Sequence, residues 1–376
     1  MRLCRKFVIA SAMVALLLLP GLLAAGDTPE PDPTAMRFVQ RALPYCPDST
    51  FELVENTRYQ TPSGSYRVVT VERNCSSRPL TAKPTLVIDE VSSLAWFGSV
   101  GQLPFEKTGV EAGALRSFVE SFLPEALLAN MNLRVRVEWD TGQRAPGALI
   151  PFALVVTTGY GEFRRDAAVT SDGKYLILGS SIPVNEDPVA FRQNLLSSSE
   201  QVMWDSVSEG KPELEIVEFS DLECPACRAK WPLIKTEIEK HGRSIRHGMV
   251  SFPLTSIHPW AFRAACASWC VAEQDPQALI PLKEAFYSLQ REMEVSEVTP
   301  TAVDFVEGHD LDEVKFRECY LKEPSIAAVH AQMALANRLN VHATPTYFVN
   351  GWMVQLPEES WLPDLLNRLL AGEDPY

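Results

Sequence analysis

Two cysteines three apart, in the stretch EFSDLECPACRAKWP (residues 218–232), constrain this chain more than any other feature. The run before them, LEIVEFS (214–220), is of buried-strand type, and a helical pattern follows them to about Lys240. Pro225 suits a first helical turn, where its missing N–H leaves no hydrogen bond unmade, and Pro232 predicts a kink further on. The pair therefore straddles a strand-to-helix junction. Three uses fit such a pair: a structural disulfide, half of a zinc site, or a couple that cycles between thiol and disulfide.

Each use asks for different company. Zinc needs a second knuckle, which Cys266, Cys270, Cys319 and His330 could supply in principle, but no second Cys-x-x-Cys exists. A purely structural bridge across two intervening residues closes a loop too short to stabilise much. The redox use fits the position itself. At a helix N-terminus, unpaired N–H groups and the helix dipole favour a thiolate at Cys224, moving a cysteine pKa from about 8.5 towards roughly 3.5–7.5. Cys227, one turn on, can then attack a mixed disulfide at Cys224 and release the substrate. Asp221 and Glu223 would raise the Cys224 pKa, whereas Arg228 and Lys230 would lower it. Pro225-Ala226 leaves the direction of electron flow open.

Beyond the pair, SIRHGMVSFPL (244–254) reads as a second strand and 259–340 as a helical run. TYFVNGWMVQL (346–356) is a hairpin turning at Asn350-Gly351, and a helix follows over 357–370. Strands at both ends with helices inserted between them predict an α/β, thioredoxin-like domain over 212–376. EFSDLECPACRAKWP together with VHATPTYFVNG (341–351) resembles the DsbA-like branch of the thioredoxin superfamily over about 213–371. That resemblance implies a cis peptide at Pro345 beside the two sulfurs, with Thr344 offering backbone groups to an extended substrate. It also matches Glu218 to a buried acid that accepts a proton; read without it, Glu218 is a partly exposed strand residue.

The start of the chain points to export. Arg2, Arg5 and Lys6 precede an apolar stretch of 19 residues broken at Pro20 and ending in small residues, the pattern of a cleaved signal over 1–25. An uncleaved anchor is the alternative. With 46% hydrophobic and 22% charged residues the chain is globular, and a formal charge of −14 speaks against nucleic acid or anionic lipid as partners.

A Pro-rich spacer (26–35) leads to a region that repeats one plan. FVQRALP (38–44) recurs as FVESFLP (118–124), and WFGS (96–99) as ILGS (177–180). Two α+β units are expected, 36–105 and 110–183, each a short helix followed by three or four antiparallel strands. VTSDGKYLILGSSIPV (169–184) is similar to the end of the N-terminal domain of DsbC-like isomerases. Residues 184–211 read as a helical linker with Phe191, Leu195 and Leu196 on one face.

Export also bears on the remaining cysteines, most of which should pair in an oxidising compartment. Cys46 and Cys75 lie outside the catalytic region and are expected to staple the first α+β unit. Cys266 and Cys270, four apart on one helix, have Cβ atoms about 5–6 Å apart, too far for a disulfide. Cys319 is then the partner of one of them, and the resemblance favours Cys270, leaving Cys266 a buried thiol. Asp140–Gly142 (DTG) is a single copy read as a turn; His258 reads as structural; His241, His247, His309, His330 and His342 form no ligand spacing.

The chain is thus expected to be a periplasmic or secreted thiol–disulfide oxidoreductase, as oxidase or as isomerase and reductase. Cys224 is the nucleophile, Cys227 the resolving cysteine, Thr344 and Pro345 the substrate clamp and Glu218 a proton relay. No cofactor or metal is needed, because the pair carries two electrons. Partners would be exported proteins bearing thiols or disulfides and a membrane redox partner, with a homodimer as one way to pack the doubled region. The rival is a non-catalytic, chaperone-like binding protein on the same fold.

Overall fold

The structure, a computed structural model, describes residues 32–75, 78–105, 112–128, 134–140, 147–205, 212–355 and 359–376. The signal and most of the spacer lie outside these residues, as do 141–142 of the DTG turn and 206–211 of the expected linker. The chain divides into two compact units: residues up to Gln40 with Asp48–Asp187, and Arg41–Pro47 with Pro188–Tyr376.

In the first unit, helix α1 (Pro33–Ala42) precedes strands β1 (Ser49–Thr61), β2 (Gly64–Cys75), β3 (Arg78–Ala82), β4 (Thr85–Asp89) and β5 (Leu94–Gln102). Helix α2 (Ala112–Leu128) precedes β6 (Arg134–Trp139), β7 (Leu149–Thr158), β8 (Gly161–Thr170) and β9 (Tyr175–Pro183). The two expected α+β units are halves of one nine-stranded antiparallel sheet, ordered β1-β2-β4-β5-β9-β8-β7-β6 with β3 on β2. They join through their last strands, and Gly98 faces Gly179. Those glycines hold equivalent places in WFGS and ILGS, so a local two-fold relates the halves at this point. Close approach explains the residue type: Gly98 has φ +143°, and a Cβ there would meet Leu178 O at 2.3 Å. The repeated helices bury matching valines, Val39 and Val119. Leu115, Val119 and Leu123 of α2 pack on Leu154, Val169, Leu176 and Leu178.

In the second unit, helix α3 (Pro188–Ser197), β10 (Met203–Trp204), β11 (Leu214–Ser220), α4 (Pro225–His241) and β12 (Ile245–Ser251) follow in order. Helices α5 (Ala261–Ala272), α6 (Leu279–Leu289), α7 (Val298–Gly308), α8 (Glu313–Cys319) and α9 (Glu323–Arg338) form the insertion. Strands β13 (Thr346–Val349) and β14 (Trp352–Gln355) and helix α10 (Trp361–Leu370) close the fold. The sheet order is β10-β12-β11-β13-β14. Only β11 and β12 run parallel, joined by α4, and the other pairs are antiparallel.

Two segments depart from the sequence reading. The expected linker is part of this unit from Pro188 to Asp205: α3 buries Val189, Arg192 and Leu196, and β10 extends the sheet along β12. Of the apolar face read from the sequence, Leu196 is buried and Phe191 and Leu195 are half-buried. Residues 41–47, assigned by the repeat to the first α+β unit, group with the second. Tyr45 N–H donates to Met353 O on β14 at 2.6 Å, its hydroxyl meets Asp364, and the fully buried Arg192 guanidinium donates to the carbonyls of Arg41 and Ala42. A cation on the last carbonyls of a helix satisfies acceptors that the helix leaves open.

Candidate active site

Cys224 is the N-cap of α4, with φ −71° and ψ 119°, and Pro225 opens the helix. Asp221 builds the turn that delivers it. Its carbonyl accepts the Cys224 N–H at 3.0 Å. Its buried carboxylate accepts from the N–H groups of Glu223 at 2.8 Å and Leu254 at 2.9 Å, and His258 Nδ1 lies 2.7 Å from Oδ2. From α6's C-terminal end, the Gln290 amide donates to Leu222 O at 2.8 Å and to Cys224 O at 3.0 Å. The nucleophile candidate is thus held by its own turn and by the insertion.

Across from it, β13 pairs antiparallel with β11, matching Phe219 to Thr346 and Glu218 to Tyr347. That register brings together residues 120 apart in sequence: Cys224 Sγ lies 3.6 Å from Thr344 O. The Thr344–Pro345 peptide is cis. Cys224 keeps 6% of its surface exposed and Cys227 none. A hydrogen bond from the Cys227 thiol pulls the Cys224 pKa down; burial opposes it, Thr344 helps, Asp221 hinders, and the balance is about 6. Burial, then the negative Cys224 and Glu218, hold the Cys227 thiol well above its ordinary range. One sulfur is a ready thiolate and its neighbour keeps its proton.

Beneath the pair lies a chain of buried charge. Glu218, fully buried on β11, has Oε2 2.5 Å from Lys283 Nζ on α6 and 3.5 Å from His247 Nε2 on β12. His247 Nδ1 in turn meets the carboxylate of Asp205, just after β10. Lys283 Nζ sits 3.7 Å from the centre of the Trp231 ring. Burial would raise the Glu218 pKa, but Lys283 and then His247 bring it to about 2. Burial would lower that of His247, but Asp205 and then Glu218 raise it to about 9. Two carboxylates and two cations balance inside the unit, which is what makes their burial tolerable.

The sequence reading missed three of these four groups. His247 has no ligand spacing in the sequence, and Asp205 and Lys283 belong to no motif. One signal was present: Lys283 stands in an apolar helical stripe with Leu279, Leu282 and Phe286. The other cysteines are placed as follows. Cys270 on α5 is bonded to Cys319 on α8, with Cα atoms 5.8 Å apart. Cys46 and Cys75 are both disulfide-bonded. Cys266 is a buried free thiol whose pKa burial pushes up to about 12. With Cys270 and Cys319 tied to each other, two of the four residues weighed for a second zinc knuckle are taken.

The second unit is a thioredoxin-like domain with a Cys-x-x-Cys at the start of a helix. Residues 208–365 match the family model described as "Thioredoxin". Over 136 residues the chain is 31% identical to the Na(+)/H(+) antiporter NhaA 3 of Salinispora tropica, a match covering 36% of this chain and 20% of the antiporter. Over 146 residues it is 29% identical to Disulfide bond formation protein D of Bacillus subtilis, covering 37% of this chain and 64% of that protein. The crystal structure of oxidised BdbD from Bacillus subtilis aligns with 45% of this chain and 94% of its own, at 22% identity and a TM-score of 0.41. The chain thus spans a fifth of the antiporter and under two thirds of the disulfide protein. No helix among the described residues is long and apolar enough to cross a membrane.

Proposed function

We propose that this chain is an exported thiol–disulfide oxidoreductase acting on protein substrates through Cys224 and Cys227. The observation that carries the reading is the split between the two sulfurs: a thiolate-prone Cys224 against Thr344 O and a fully buried, proton-retaining Cys227. In the reducing direction the Cys224 thiolate attacks a substrate disulfide and expels one substrate thiolate. Cys227 then loses its proton, attacks the mixed disulfide and releases the second substrate thiolate, leaving Cys224–Cys227 oxidised. Oxidation of a substrate dithiol is the reverse. Thr344 and Pro345 line the place where the substrate chain would lie against Cys224.

Glu218 is the relay for the Cys227 proton. Its charge acts on Cys227, and its Oε1 carries no hydrogen bond among the described residues, leaving an acceptor open. Support for export is the signal pattern of residues 1–25 and the cysteines held as disulfides outside the active pair, a state that belongs to oxidising compartments. The substrates are then exported proteins with thiols or disulfides, and a membrane redox partner resets the pair. The doubled first unit serves as a platform that holds substrates or sets a homodimer.

Insulin reduction and hirudin oxidation test the reading and its direction together. Cys224→Ser should abolish both activities, and Cys227→Ser should accumulate mixed disulfides with substrates. Thiol trapping of the protein as isolated separates the directions: a disulfide marks an oxidase, a dithiol an isomerase or reductase. Activity in neither assay would leave the binding-protein alternative.

A further inference from the structure

Four hydrogen bonds join the turn that carries Cys224 to the loop between β12 and α5. Phe252 N–H donates to Ser220 O at 2.8 Å, and Trp260 N–H donates to Glu223 Oε2 at 2.6 Å. Between them the Asp221 carboxylate binds both sides: Oδ2 accepts from Leu254 N–H at 2.9 Å and His258 Nδ1 at 2.7 Å, and Oδ1 from Glu223 N–H at 2.8 Å. This carboxylate is wholly buried, and its three donors offset the cost of taking a charge out of water. The charge itself opposes the thiolate at Cys224, so what Asp221 contributes to the site is position. The Cys224 side chain makes no cap hydrogen bond to α4. Its backbone is held instead by Asp221 O, which accepts its N–H at 3.0 Å, and by the Gln290 amide, which donates to its carbonyl at 3.0 Å.

We propose that Asp221 is a positioning residue: with His258 as donor, its carboxylate clasps the Cys224 turn to the 252–260 loop and so fixes the line along which Cys224 attacks a disulfide. The inference rests on the redox reading above. In that step the Cys224 thiolate bonds to one sulfur of a substrate disulfide and expels the other as a thiolate. The three sulfurs must lie nearly in line, and the substrate chain approaches beside Thr344, whose carbonyl oxygen is 3.6 Å from Cys224 Sγ. A turn free to rock would spread the angles of attack and slow the exchange. A small alkylating reagent, free to approach from any open side, would not feel the loss.

The test uses the full-length protein, reduced at the active pair, as wild type, Asp221→Ala, His258→Ala and His258→Asn. Exchange with a cyclic peptide disulfide and alkylation by iodoacetamide are each measured at Cys224 and divided by the thiolate fraction, read from its absorbance. Asp221→Ala should slow exchange about tenfold per thiolate while changing alkylation by less than about twofold. His258→Ala should do the same to a smaller degree, and His258→Asn, whose Nδ2 can donate where Nδ1 did, should recover most of the loss. A second measurement needs no variant and stands even if Asp221→Ala does not fold. In the wild type the amides of Glu223, Cys224, Leu254 and Trp260 should exchange hydrogen with one shared opening free energy. Three results overturn the proposal: disulfide exchange in Asp221→Ala slowed no more than alkylation, His258→Asn no better than His258→Ala, or Leu254 and Trp260 opening apart from Cys224. A wild type that is alkylated at Cys224 but exchanges with no disulfide would instead strike the redox reading, and the amide measurement would still decide whether turn and loop move as one.

Discussion

At the scale of single residues, reactivity follows from the contrast between the two sulfurs. Mild reduction followed by iodoacetamide should label Cys224 before Cys227, with a rate that is flat above about pH 7 and falls as pH drops through about 6. Mass spectrometry finding Cys227 labelled first would reverse their roles. The buried charges make a second prediction, about stability. His247 has a folded pKa of about 9, raised above its unfolded value, so the stability it contributes is full below about pH 6.5 and is lost as pH rises through 9. Glu218 behaves oppositely: its folded pKa is depressed to about 2, and its contribution, present above about pH 4.3, is lost as pH falls through 2. Denaturant unfolding of the second unit should therefore weaken between pH 6 and pH 9.5 by up to roughly 3 kcal/mol. In His247→Gln that slope should flatten; a slope of wild-type size would place its origin elsewhere.

At the scale of elements, the pairing of β5 with β9 is the joint of the first unit, and Gly98 is its tightest point. Gly98→Ala forces a Cβ onto Leu178 O at a φ that only glycine adopts readily, and should cost about 2–4 kcal/mol. The measurement is the unfolding transition of the first unit, with insulin reduction by the same sample as a control for the second. A loss below about 0.5 kcal/mol would show that the strands part there without penalty. The repeat in the sequence pointed to this joint without revealing it. WFGS and ILGS stood out as copies, but that the copies pair with each other is a matter of register, which neighbouring strands decide.

At the scale of the whole molecule, the segments that complete the second unit bear on where the chain can be cut. A fragment beginning at residue 212 loses Asp205, leaving His247 buried without its carboxylate. One beginning at residue 188 keeps α3 and β10 but removes the carbonyls of Arg41 and Ala42 from the buried Arg192. The 188–376 fragment should reduce small disulfides at close to the full-length rate yet melt several degrees lower, as the loss of the Arg41 and Ala42 carbonyls from a buried cation implies. On scrambled ribonuclease it should act more slowly than the whole chain. Equal rates on that substrate would remove the platform role proposed for the first unit.

The local pattern of the sequence was enough for whatever depends on a few consecutive residues. A strand running into Cys-Pro-Ala-Cys at a helix start, a Thr-Pro before a strand and an Asn-Gly hairpin each declare their backbone conformation locally, and together they specify a thioredoxin-like domain with a helical insertion. Only the tertiary structure decided the rest. That Glu218, His247, Lys283 and Asp205 meet in one buried chain depends on four elements converging, and nothing in the flanks of His247 announces it. That residues 41–47 belong beside β14, with Arg192 beneath them, depends on a strand edge with open hydrogen-bonding groups and on a cation that had to find acceptors. Buried charges and open backbone groups are satisfied by partners distant in sequence, so their pairing is settled only when the whole chain packs.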